Sequence, residues 1–167
     1  IYDQIDKNNA IVMAFLKSGG IKAGDISVAV PNISDKYAAE YGSNDRAYRY
    51  IATSTVTVCT ADVDAVLALR SRQSELLKKG VVTAGSNWEN TVEFKYEGLN
   101  EIKPQMIEEA TRNAREAAEK FAKDSDSKLG KIKTANQGTF TIDDRDSNTP
   151  HIKTVRVVTS VTYYLRN

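Results

Sequence analysis

The first and last thirds of the 167-residue chain align without a gap at an offset of 106 positions, and that repeat limits the folds open to it. Phe15-Leu16-Lys17 falls on Phe121-Ala122-Lys123, and Lys22-Ala23-Gly24 on Lys128-Leu129-Gly130. Ile26 falls on Ile132, Ala29 on Ala135, and Thr53-Ser54 on Thr159-Ser160. The identities are few. The stronger constraint is that both copies set out helix, glycine, strand, long loop and strand at the same distances. The spacing predicts two helix-plus-β-hairpin modules, over 3–59 and 101–165, in one domain spanning 1–167. A helix over 62–79 and a strand over 91–97 would link them. If 91–97 leads the second module, the first lacks its counterpart; a leading strand is then expected before residue 1, and its loss would leave an adhesive sheet edge.

Local patterning fills in the modules. Residues 3–17 carry Ile5, Val12, Phe15 and Leu16 on one side, a helix stopped by Gly19-Gly20. Ile26, Val28 and Val30 alternate with Ser27 and Ala29, and Pro31 marks that strand as short or at an edge. A strand over about 47–59 has a threonine-rich face. Asp62 or Thr60 caps the next helix, whose inward stripe is Val63, Val66, Leu67 and Leu77, and Gly80 ends it. Val92, Phe94 and Tyr96 against Glu93, Lys95 and Glu97 give the cleanest alternation in the chain. The longest helix covers about 101–127 along Ile102, Met106, Ala110, Ala114, Ala117, Ala118 and Phe121, with Pro104 in its first turn. Glu108–Arg112, Glu116–Lys120 and Glu119–Lys123 are acid-first pairs on its solvated face. Strands over about 131–141 and 152–165 flank the turn Asp143–Pro150. The fold class is therefore α+β: a mainly antiparallel sheet layer covered by helices.

Composition excludes several functions. Twenty-three basic against 22 acidic side chains leave a net charge of +1, which is no footprint for nucleic acid. No apolar run reaches membrane-spanning length. One cysteine, Cys59, and one histidine, His151, rule out disulfides within the chain and cysteine-rich zinc sites. There is no phosphate-binding glycine loop and no Gly-x-Ser-x-Gly elbow. The chain reads as a protein without catalysis and without a cofactor.

The stretch Ala110-Thr-Arg-Asn-Ala114-Arg-Glu-Ala117-Ala-Glu-Lys120-Phe121-Ala122, followed by Leu129-Gly130-Lys131-Ile132, resembles the SIMPL domain family. Gly20-Ile21 before Asp25-Ile26, and Lys79-Gly80-Val81 at the end of the second helix, fit the same pattern. The resemblance covers nearly the whole chain. It implies a mostly bacterial protein, exported to the periplasm or cell envelope after loss of a leader, and without established catalysis. It also implies oligomeric assembly and a link to oxidative-stress tolerance. The missing leading strand and the tyrosine-rich 37–50 segment depart from the family pattern.

Four sets of residues could carry chemistry or a contact. Tyr37, Tyr41, Tyr48 and Tyr50 with Arg46 and Arg49 interleave aromatic and basic side chains. Such a set serves ordinary packing, a protein interface, or stacking of single-stranded bases, and the neutral charge balance weighs against the last. Trp88 is either a lid on the core or a contact residue. Asp143, Asp144, Asp146 and His151 resemble the start of a cation loop, but the glycine and glutamate such a loop needs are missing, so a polar hairpin turn is the simpler reading. Cys59 could be a redox thiol, although no second cysteine is present to resolve it. The leading expectation is self-assembly or binding of another protein; the alternative is a redox or metal-binding stress protein using Cys59 or the 143–151 turn.

Overall fold

A computed structural model describes residues 1–38, 48–84 and 91–167. The chain divides into two compact units, Ile1–Asn90 and Thr91–Asn167.

In the first unit, helix α1 (Tyr2–Ser18) buries Ile5 and Phe15. It closes through Gly19 N–H to the Phe15 and Leu16 carbonyls and Ile21 N–H back to Leu16, so the chain folds over the helix end. Four short strands follow: β1 (Ile26–Val28), β2 (Asn32–Asp35), β3 (Tyr50–Thr53) and β4 (Val56–Val58). β1 pairs antiparallel with β4, and β2 with β3. The strand expected over about 47–59 is thus broken once, and the short strand expected over 26–30 is followed by a second, β2, that the sequence reading did not include. From Val28↔Val56 to Asn32↔Thr53 the first arm advances four positions and the second three, so one extra residue bulges beside Pro31, which has no amide to donate.

Helix α2 (Val63–Ser71) starts where the Asp62 carboxylate accepts the Ala65 N–H at 2.9 Å. The expected single helix over 62–79 breaks at Arg72–Gln73 and resumes as α3 (Ser74–Lys78). The break resets the helical phase. Leu69 and Leu76 are therefore the buried leucines, whereas Val63 and Leu77, expected to face inward, are exposed. Phe15, Ile21, Leu69, Leu76 and Val81 form the core of this unit.

In the second unit, residues 91–97 pair with no strand among the described residues, contrary to the sequence expectation. Alternation specifies an extended chain, but a strand exists only where a neighbour takes up its amides and carbonyls. Helix α4 runs from Leu99 to Asp124. It begins before the expected start, which places Pro104 in its second turn and costs the Asn100 carbonyl its intrahelical donor. Its sheltered line advances by fours through Ile102, Met106, Ala110, Ala114 and Ala118 to the buried Ala122. Such a line drifts around the axis, so Ala117 and Phe121, both expected inside, are exposed. Among the described residues the ion pair this helix forms is Arg115–Glu119 at 2.9 Å, in place of the acid-first pairs expected from spacing.

Strands β5 (Lys128–Asp144) and β6 (Lys153–Arg166) make one long antiparallel hairpin. α4 lies more along β6 than β5. Val155, Val157, Thr159, Val161 and Tyr163 are accordingly half-buried and alternate with exposed neighbours, while β5 is exposed almost throughout. The alanine line permits that close approach.

The repeat extends into the ladders. Moving both partners of Val28↔Val56 by 106 gives Thr134↔Thr162, and moving Asp35↔Tyr50 gives Thr141↔Arg156, both of which are formed. One register shift separates these pairs in each hairpin. α1 and α4 end at Ser18 and Asp124, again 106 apart.

Candidate functional site

The end of the first hairpin holds part of the tyrosine–arginine set. Asp35 closes β2, a 3-10 turn follows over Lys36–Ala38, and Arg49 precedes β3. Lys36 N–H donates to the Arg49 carbonyl at 2.8 Å, so the backbone brings the two arms together. The Arg49 guanidinium then forks onto Asp35, with Nη2 to Oδ2 at 2.9 Å and Nε to Oδ2 at 3.1 Å. Tyr37 N–H donates to the other oxygen, Oδ1, at 2.9 Å. This donor set holds the Asp35 carboxyl below its usual range, chiefly through Arg49, and Asp35 in turn raises the guanidinium above its own.

Arg49 also lies over two rings, 5.0 Å from the centroid of Tyr50 and 5.8 Å from that of Tyr37. Tyr37, Tyr48 and Tyr50 are 51%, 77% and 43% exposed, so the rings face solvent. The result is a small aromatic and cationic surface whose charge is already matched by its own carboxylate. Of the expected interface residues, Tyr37, Arg49 and Tyr50 are brought together and Tyr48 stands beside them in the chain. Tyr41, Arg46 and Trp88 lie outside the described residues. The residue the sequence reading missed is Asp35. Its signal was its place across the strand pair from Tyr50, visible only once the register is known.

Two of the three carboxylates of the acid-rich turn are engaged by neighbouring groups. Asp146 accepts the Asn148 and Thr149 amides, the Thr149 hydroxyl and Arg145 Nε, which together lower its carboxyl, the Thr149 hydroxyl most. Asp144 is paired with Lys153. His151 meets Phe94 edge-on at 5.8 Å. No group of three or more His, Cys, Asp or Glu converges among the described residues. Cys59 is exposed at the end of β4, its amide bound to the Asp25 carbonyl at 2.8 Å. A concavity near it is lined by Gly20, Lys22, Asp25, Thr60, Ala61 and Asp62. There the Thr60 hydroxyl accepts the Asp62 amide and Asp62 caps α2. No helix of the described residues is long and apolar enough to cross a membrane.

No curated protein matches the chain. The profile of the SIMPL family, described as a protein of unknown function (DUF541), matches residues 1–163, in keeping with the alanine-spaced α4 and the Leu129-Gly130 that follows it. The chain belongs to the SIMPL family.

Proposed function

We propose that this chain is a non-catalytic protein of the bacterial periplasm or envelope that works through protein–protein contact, self-assembly first. The observation that carries the reading is the Arg49 surface. Two tyrosine rings are held by one guanidinium, itself fixed by a two-point bond to Asp35, and their outer faces are open. Anchors of this kind lose little conformational freedom on binding, and tyrosine and arginine dominate the energetics of interfaces. The internal match of the charge also favours a protein partner over a polyanion. Placement in the envelope, and a setting of oxidative-stress tolerance, come from the family resemblance.

The test is sedimentation velocity on the full chain beside a Tyr37→Ser/Tyr48→Ser variant. Both rings are exposed, so unfolding stability should stay within about 0.5 kcal/mol. Association should weaken about tenfold or more, as expected when interface anchors are truncated. A variant that associates as the parent does removes this surface from the contact.

A further inference from the structure

The tyrosine–arginine surface at the end of the first hairpin is uneven in what it offers a partner. Asp35 is its charged acceptor, and that carboxylate is already filled: Arg49 Nε and Nη2 donate to it, and so does the Tyr37 amide. The guanidinium still has Nη1 to give. The hydroxyls of Tyr37, Tyr48 and Tyr50 make no hydrogen bond among the described residues. Charge is balanced within the Asp35–Arg49 pair, so a polyanion finds no unmatched cation there. What remains is ring surface together with spare donors.

A segment that suits such a surface presents carbonyls and apolar rings and few amide N–H groups. Proline has that composition: its carbonyl accepts, its ring is apolar, and it has no N–H to leave unpaired. A run of prolines is also extended as a polyproline II helix before it binds, so little conformational freedom is lost on docking to aromatic side chains. Three residues of that helix span about 9 Å. That span fits inside the reach of two rings, Tyr50 and Tyr37, whose centroids lie 5.0 and 5.8 Å from one guanidinium. The protein side is held as well, because the same guanidinium lies over both rings and forks onto Asp35 across the hairpin.

We propose that this surface binds an extended, proline-rich segment of another protein. The chain's own prolines, Pro31, Pro104 and Pro150, stand far apart in the sequence, so a second copy does not supply the segment. The inference rests on reading the Arg49 surface as a protein contact, and adds to the self-contact a foreign partner that competes for the same rings.

Titration of the full chain with a blocked oligoproline of about ten residues, followed by amide NMR spectra, tests it beside a Gly-Ser peptide of equal length. The oligoproline should bind with a Kd below about 1 mM, and its shift changes should cluster at 35–38 and 48–50. The Gly-Ser peptide, which lacks the rings and the preformed helix, should bind at least about tenfold more weakly. Tyr37→Ser/Tyr48→Ser should weaken oligoproline binding about tenfold or more, with circular dichroism as the check on folding. No binding at millimolar oligoproline, equal binding of the two peptides, shifts clustered elsewhere, or binding unchanged in the variant overturns the proposal. An oligoproline that fails while the variant still weakens association of the chain overturns this inference alone. If association is unchanged as well, the protein-contact reading of this surface falls with it.

Discussion

Phe15→Ala is expected to cost the first unit about 3–5 kcal/mol, the range for emptying an aromatic site in a packed core, while Phe121→Ala changes stability by no more than about 0.5 kcal/mol. The two phenylalanines occupy the same place in the repeat, 106 positions apart, near the end of the helix that precedes its hairpin. Their surroundings differ. Phe15 is 5% exposed, enclosed by Ile21, Leu69, Leu76 and Val81, with the Arg72 guanidinium 5.7 Å above its ring. Phe121 is 75% exposed. Alanine is also the better helix former, which offsets what little packing Phe121 loses. Urea unfolding of both variants, followed by circular dichroism, measures the contrast. Equal losses would mean that the two helices are covered alike and that the repeat keeps its packing as well as its register.

The second large effect is at Gly19. A β-carbon there would lie 2.4 Å from Leu69 Cγ and Cδ2 and 2.7 Å from Cδ1. Leu69 is 5% exposed and wedged in the core, so it cannot step aside. The backbone does not ask for glycine: φ is −89°, open to any residue, and alanine at such a site would ordinarily stabilise by about 0.4–1 kcal/mol. The steric term wins, and Gly19→Ala should cost about 1–3 kcal/mol. Because the clash is with one side chain, the cost should vanish in a Leu69→Ala background. A double-mutant cycle by thermal or urea unfolding reads that coupling. Additive losses would place the fault in the backbone instead. The equivalent position in the second copy is Ser125, which carries a β-carbon and caps α4 with its hydroxyl donating to the Ala122 carbonyl at 3.0 Å. Glycine stands where the Leu69 side chain presses on the helix end, and serine at the equivalent place in the other copy.

These contrasts explain what could be read from the chain and what could not. The helix stops at Gly19-Gly20 and Gly80, the second hairpin and the common spacing were legible, because glycines, β-formers and the 106-residue offset mark them directly. Gly130, expected to close the longest helix, lies inside β5 instead, and α4 ends at Asp124. The bulge beside Pro31 was visible only as a weak strand, since sequence shows a missing amide and not the extra residue that its own arm carries there. Leu76 and Leu77 are adjacent leucines, and choosing between them needs the break at Arg72, where an Arg72–Glu75 bond at 2.9 Å spans the joint. Phe121 read as core because it is large and apolar. Its exposure depends on the slow drift of an alanine line that ends at Ala122. At the candidate site the tyrosines and Arg49 were visible as a cluster, but Asp35 was not: it lies 14 residues from Arg49, and only the strand pairing joins them.

The central claim is that this chain acts through contact surfaces on its hairpins. Amide hydrogen exchange on the full chain, dilute and concentrated, tests it most directly. The expected result is that concentration slows exchange at 35–38 and at 48–50, and leaves the core around Phe15 and Leu76 unchanged. Exchange that is identical at both concentrations in every segment would contradict it.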